Sequence, residues 1–138
     1  MDALEMLYRA LADELWNRGD LTAVDRYFDE GYLGHDSLYP RKGRQSMKDA
    51  VIRFREAIGD LRYAVEDVFC SGDRVAARWV VTGRHTGTLF GIAPTGRRLR
   101  IAGMSINRIE RGKVMEGWVF NDVLSLLQQL DQPLAAFE

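Results

Sequence analysis

Asp122, His85 and His35 are the residues whose type and setting could move protons in this chain of 138 residues. Positions 114–120 alternate like a strand, and Glu116, Trp118, Phe120 and Asp122 share one parity, so a carboxylate ends a row that carries two aromatic rings. A carboxylate held against aromatic surface loses solvation, which lifts its pKa toward the range where a general acid-base works. Asp122 also directly precedes the apolar stripe Val123, Leu124, Leu127 and Leu130, where it is suited to cap a helix N-terminus. Both readings stay open at this point, and Glu116 is read as a strand-rim charge partner. His85 closes the odd-numbered row Val75, Ala77, Trp79, Val81 and Gly83, either as a proton carrier or as a half-buried imidazole bonded to a carbonyl. His35 and Asp36 lie in a segment of little periodicity with Tyr32 and Tyr39 on either side, the composition of a pocket mouth. Two histidines without HxH or HExxH spacing, and the single cysteine Cys70, supply no metal framework, so the site is expected to work without metal.

The elements that must hold these residues follow from periodicity. Leu4, Leu7, Leu11 and Leu15 recur at three- and four-residue spacing and predict an amphipathic helix over 2–18, opened by Asp2 with Glu5 as a capping box. It stops at Gly19, and Asp20 caps a shorter second helix carrying Val24, Tyr27 and Phe28. Met47, Val51, Phe54 and Ile58 make the buried stripe of a third helix over 46–58. Beyond Gly59 the period falls to two. Residues 61–69 and 74–85 form a hairpin around Ser71-Gly72-Asp73, and 98–109 and 114–120 form a second around 110–113. A short last helix ends near Pro133. Helices first and long antiparallel strands afterwards predict an α+β domain spanning 1–138, with one face of a curved sheet covered by helices and the odd set of 75–85 turned toward them.

Composition bounds the partners. With 46% hydrophobic residues the chain can bury a real core. The 19 basic and 20 acidic residues leave a net charge of −1, which offers no handle for nucleic acid or an anionic membrane. No window approaches a membrane-spanning length, Asp2 and Glu5 stand where a signal peptide would be basic and apolar, and a lone cysteine suits a reducing compartment, so a cytoplasmic protein is expected. The glycines between Gly87 and Gly96 lack the strand-turn-helix setting of a nucleotide site.

As a set, several phrases resemble the SnoaL-like polyketide cyclases, or ester cyclases, of the nuclear-transport-factor-2-like superfamily: Trp16-Asn17-Arg18-Gly19-Asp20, Tyr32-Leu33-Gly34-His35, Gly83-Arg84-His85-Thr86-Gly87, 90–96, Gly112-Lys113, and the ending Glu116, Trp118, Asp122 and 126–130. The resemblance runs in order from Trp16 to Leu130. It implies an α+β cone, a strongly curved antiparallel sheet wrapped around N-terminal helices with a pocket between them, and a homodimer through the outer sheet face. The characterised members close the last ring of an aromatic polyketide methyl ester by intramolecular aldol condensation without a cofactor. Asp122 matches the family's acid-base aspartate, His85 its pocket histidine, and His35 a further polar position near the pocket.

On that reading the partner is a small hydrophobic carbonyl compound. Asp122 takes and returns the proton, and His85 and His35 donate to the enolate or orient the substrate. Trp79, Trp118, Phe54, Phe90, Tyr32 and Met104 would contact substrate, although Met104 also shares the even face with Val80 and Ile106, as a dimer interface would require. An epoxide-hydrolase-like relay is disfavoured, because no Arg-x-Asp stands in 74–85 or 98–109. A ketosteroid-isomerase-like isomerase, a non-catalytic apolar-ligand carrier, and a purely structural dimerisation domain are the alternatives.

Overall fold

The computed structural model describes residues 2–36 and 39–133. Helix α1 (Ala3–Ala12) starts where Asp2 accepts from the Leu4 amide at 2.8 Å; Glu5 instead pairs with Arg9 one turn on. The helix continues into a single π-helical turn, Asp13–Asn17, and α2 (Thr22–Tyr27) follows after Asp20 has accepted from the Thr22 amide. Strands β1 (Phe28–Asp36) and β2 (Arg41–Lys42) come before α3 (Gly43–Ala57). Then come β3 (Ile58–Ser71), β4 (Arg74–His85), β5 (Arg98–Glu110), β6 (Lys113–Asn121) and α4 (Val123–Gln129).

The six strands form one mixed sheet in the order β2-β1-β6-β5-β4-β3. Both expected hairpins are present, as β3–β4 and β5–β6, and the sheet closes with β1 running parallel to β6. The segment of little periodicity around His35 and Asp36 predicts no strand, yet β1 runs through both residues and β2 follows. In β1, Gly31 and Gly34 and the acidic pair Asp29 and Glu30 dilute the alternation, and the register with β6 slips between Phe28 and Leu33. What holds β1 in place is therefore its neighbours rather than its own pattern.

The inner face of the sheet is apolar because its strands alternate. Val75, Ala77, Trp79 and His85 of β4 are buried while Arg78 and Arg84 are exposed. α1 and the π-turn lay Tyr8, Leu11 and Leu15 on this face, and α3 adds Met47 and Val51. A second cluster, built by Leu99, Ile101, Leu126, Leu127 and Leu130, fixes α4 over the far end of the same sheet.

The π-turn has an evident purpose. One inserted residue re-aims the end of the helix, a common use of such turns, so that the Asn17 carboxamide accepts from the Tyr63 amide at 2.7 Å and donates to the Tyr63 carbonyl at 3.1 Å. β3 is an edge strand, so these main-chain groups would otherwise have no strand partner on that side. Arg55 of α3 donates to the Asn17 carbonyl at 3.0 Å and ties α3 to the same corner. Replacing Asn17→Ala removes the two hydrogen bonds to Tyr63 and a third, to Asp13 at 3.1 Å, at a partly buried edge and should cost about 2 kcal/mol in urea unfolding, with m unchanged; a loss below about 0.5 kcal/mol would show that water replaces the amide at no cost.

Candidate functional site

Three helical segments are too few to fill the concave side of so wide a sheet, and a cleft with about 800 Å³ of free space, counted to its open mouth, remains between them. Its walls are mostly apolar. Leu11, Leu15 and Met47 come from the helices, Phe54 from α3, and Val81, Ile101 and Val119 from the sheet. An apolar lining interrupted by a few polar groups is the usual form of a small-molecule site.

Aromatic rings set its shape. Trp16 stacks on Tyr63 and Tyr63 on Trp79, with centroids 5.9 and 5.2 Å apart, so three rings from the π-turn, β3 and β4 make one continuous wall. The Trp79 indole lies flat because β5 has Gly103 beneath it: a Cβ there would run into the six-membered ring and approach the Phe120 carbonyl to 2.8 Å. The Trp79 Nε1 hydrogen is buried without a partner, although the residue lines the cavity. A buried donor without a partner costs stability until a neighbouring group moves to pair with it.

Polar groups interrupt the apolar lining in two places. The Tyr8 and Tyr63 hydroxyls bond each other at 2.8 Å, and Tyr8 reaches Ser105 at 3.4 Å. Burial pushes both phenols above the usual tyrosine value, Tyr63 well above it, so they stay protonated and able to donate. Tyr32, Arg41 and Asn107 form the second polar group, and Asn121 lies at the end of β6.

Tyr32, Phe54 and Trp79 line the cleft, as their expected role requires. Phe90, in the loop after β4, lines an adjoining depression with Tyr39, Arg53 and Phe54. Trp118 and Met104 do not line either. They stand on the opposite, outer face, where Met104 is 60% and Phe120 68% exposed, because the inward set of β6 includes Val119 and Asn121 rather than the even-numbered row. The bulge between Arg108 and Ile109 shifts the β5–β6 register, an irregularity that parity counting does not reveal.

The three proton-carrying candidates are not brought together. Asp122 is exposed and its Oδ1 accepts from the Ser125 amide at 3.0 Å, capping α4. Asn121, which lines the cleft, directly precedes it. His85 is fully buried beyond the cleft, with Nδ1 3.0 Å from the Thr95 hydroxyl, and its Nε2 has no partner. His35 is on the outer face, stacked on Trp118, with Nε2 2.6 Å from Glu116. That hydrogen bond, aided by Arg108, holds the Glu116 carboxyl below the usual carboxylate range. Among the described residues no carboxylate or imidazole lines the cleft, and no three His, Cys, Asp or Glu side chains cluster as metal ligands. Sequence reasoning passed over Tyr8, Tyr63 and Asn107; the strand alternation that turned Trp79 inward could have selected the last through its parity with Ser105.

No helix in the described residues is long and apolar enough to cross a membrane. The chain is 27% identical over 124 residues to an aklanonic acid methyl ester cyclase of Streptomyces peucetius, covering 87% of this chain and 86% of that one. It is 29% identical over 126 residues to a nogalonic acid methyl ester cyclase of Streptomyces nogalater, covering 86% and 90%. Its fold superposes on TsrD from Streptomyces laurentii with a TM-score of 0.85 at 27% identity over 94% and 97% of the chains, and on IdmH from Streptomyces antibioticus with 0.80 at 25% over 94% and 99%. The model of the SnoaL-like polyketide cyclases matches residues 5–130, and the chain belongs to that family.

Proposed function

We propose that the protein closes a ring in a polyketide-like carbonyl compound by intramolecular aldol addition, without a cofactor. The observation that supports this best is the cleft itself: a deep, aromatic-walled space with hydrogen-bond donors set into apolar surface, in a relative of two methyl ester cyclases. A flat polycyclic substrate would stack along Trp79 and Tyr63. Holding its two reacting carbons together converts folding of a flexible chain into a pre-arranged collision, which supplies much of the rate.

The chemistry then needs one proton taken and one returned. A base removes a proton from the carbon between two carbonyl groups, the enolate carbon bonds to the distant carbonyl carbon, and the resulting alkoxide takes the proton back, so the product is an isomer of the substrate. Trp79 Nε1 and the protonated Tyr8–Tyr63 pair are donors for the oxygens on which charge develops. Asp122, the family-matched aspartate, is the proposed base, at the Asn121 end of the cleft. Rotation about its side chain would free the carboxylate from the Ser125 amide when substrate fills the mouth. His85 then positions the Thr95 loop beside that end, and His35 stays on the outer face with Glu116.

The Asp122 cap also favours a second reading, a carrier that binds an apolar ligand without turnover. Aklanonic and nogalonic acid methyl esters, followed by chromatography for an isomeric product, separate the two. The Asp122→Asn variant retains a capping side chain, and should leave ester binding within about threefold while turnover falls roughly 10²–10⁴-fold. Binding of both esters by the unaltered protein with no isomer formed would establish the carrier.

The donors have their own signature in alkali. Burial raises Tyr8 and Tyr63 above the usual tyrosine value of 10.0 in the folded state, so their contribution to stability is complete below about pH 10 and is lost as pH climbs through the folded values. Absorbance at 295 nm should show these two phenols ionising only with unfolding, and the Tyr8→Phe, Tyr63→Phe double variant should lose that late step; early, reversible ionisation of both in the folded protein would contradict their burial as donors.

The outer sheet face carries the remaining proposal, a homodimer. Phe69, Ala76, Ile106, Trp118 and His35 follow one another in register across five strands, beside the row Asp67, Arg78, Met104 and Phe120. Apolar groups with both charge signs, Asp67 and Arg78 at 2.7 Å, suit a self-complementary two-fold contact with a second copy. Light scattering should give twice the chain mass, and Met104→Glu with Phe120→Glu should halve it; a monomer before substitution ends the proposal.

A further inference from the structure

The cleft has a feature that an apolar neutral substrate does not call for. Arg41 lines it with a side chain only 7% exposed, yet its hydrogens are poorly used. A guanidinium has five N–H donors. Here one terminal nitrogen meets the weakly accepting Met47 sulfur at 3.8 Å, the other meets Asp36 at 3.5 Å, and Nε is buried with no partner. The Asp36 contact is a single one at the limit of hydrogen-bond length, far from the two-pronged pairing that arginine makes with a carboxylate at full strength.

The backbone beneath Arg41 is shaped to admit something. Gly34 of β1 and Gly117 of β6 stand opposite each other in the parallel register. A Cβ at Gly34 would run into the Tyr32 hydroxyl and come 3.0 Å from Arg41 Cβ, and one at Gly117 would come 2.6 Å from Asn107 Oδ1 and 3.6 Å from the Tyr32 hydroxyl. The paired glycines therefore leave a notch in the cleft floor that the Tyr32 hydroxyl and the Asn107 carboxamide enter from β1 and β5, with the stem of Arg41 against it from β2. Burial raises the Tyr32 phenol above its usual range, and the Arg41 charge beside it, with a guanidinium hydrogen directed at the phenol oxygen, counters only part of this, so the hydroxyl remains a donor.

We propose that Arg41, Tyr32 and Asn107 form a binding subsite for a planar two-oxygen anion, a carboxylate or the enolate of a 1,3-dicarbonyl, on a ring-bearing ligand whose apolar part lies along Trp79. A planar pair of oxygens can take two guanidinium hydrogens at once, and relieves the unpaired Nε. The subsite rests on the reading of the cleft as a substrate pocket and specifies which end of the substrate enters first. Asp36 limits its strength by competing for the same cation.

Calorimetric titration with 2-naphthoate and its uncharged isostere 2-naphthamide tests the carboxylate form, and titration with 2-naphthoylacetone, read by the growth of its enolate absorption, tests the other. The unaltered protein should prefer naphthoate to naphthamide by tenfold or more, or enrich the bound enolate. Asp36→Asn should strengthen the effect severalfold. Arg41→Lys should keep part of it. Because Arg41→Gln alone removes the cation beside a buried carboxylate and can unfold the chain, the Asp36→Asn, Arg41→Gln pair is used. It should abolish the anion effect while naphthamide binds as before. A response to naphthoate alone identifies a carboxylate and a response to the diketone alone an enolate, and either sustains the subsite. If naphthamide binds but neither anion effect appears, or the effect survives in the Asp36→Asn, Arg41→Gln protein, the subsite is overturned while the pocket stands. If none of the three compounds binds, both fall.

Discussion

The Asn17 carboxamide, bonded to both main-chain groups of Tyr63, is the contact on which the rest of the site depends. It holds the end of the first helix against an edge strand and so fixes the height of the helical layer above the sheet. Were that corner free to settle, the half-buried rings of Trp16 and Tyr63 could lose their remaining exposed apolar area, at about 25 cal/mol per Å². Instead the helix is stopped by a polar contact that has one good geometry. An open cleft in a small domain gives up dispersion contacts along all its walls, and a directional hydrogen-bonded pair is a means of keeping it open that does not depend on a ligand.

The same corner organises the aromatic wall. Trp16 precedes Asn17 and stacks on Tyr63, the residue whose backbone Asn17 holds, and Tyr63 stacks on Trp79. Tyr63 thus binds the helix through its main chain, the cavity wall through its ring, and Tyr8 through its hydroxyl. A change at any of these groups displaces the others, so effects of substitution here will not add.

How much of this was legible follows from which forces write patterns into sequence. Helix stripes and the alternation of β4 are direct records of burial, and they placed Trp79 toward the helices and Phe54 on the inward stripe of α3. β1 was not legible because its glycines and acids serve the notch and the rim rather than a uniform buried face. The aromatic residues of β6 point outward because pairing partners and a bulge, not the strand's own alternation, decide which parity faces in. Arg41 stands in a basic run with Lys42 and Arg44, a pattern that fits a solvated face or an anion-docking loop equally; only the antiparallel pairing of β2 with β1 turns it beneath the cleft while Lys42 stays exposed. Local composition cannot distinguish those two fates.

Asp122 joins the fold to the proposed chemistry, since one carboxylate has two demands on it. As the cap of α4 it accepts the Ser125 amide and is best charged and fixed; as a base it must turn and take a proton. The two are compatible if the cap is weak enough to be exchanged for a substrate contact, and α4 is well provided for that. Leu126, Leu127 and Leu130 anchor the helix in the core, and Gln129 clasps the main chain of Arg100 through two hydrogen bonds at 2.8 Å. A helix so held does not need its cap to stay in place. The carboxylate can therefore rest on the Ser125 amide while the cleft is empty and leave it when a ligand arrives, with the main-chain bond from Asp122 to Ala102 keeping its backbone fixed throughout.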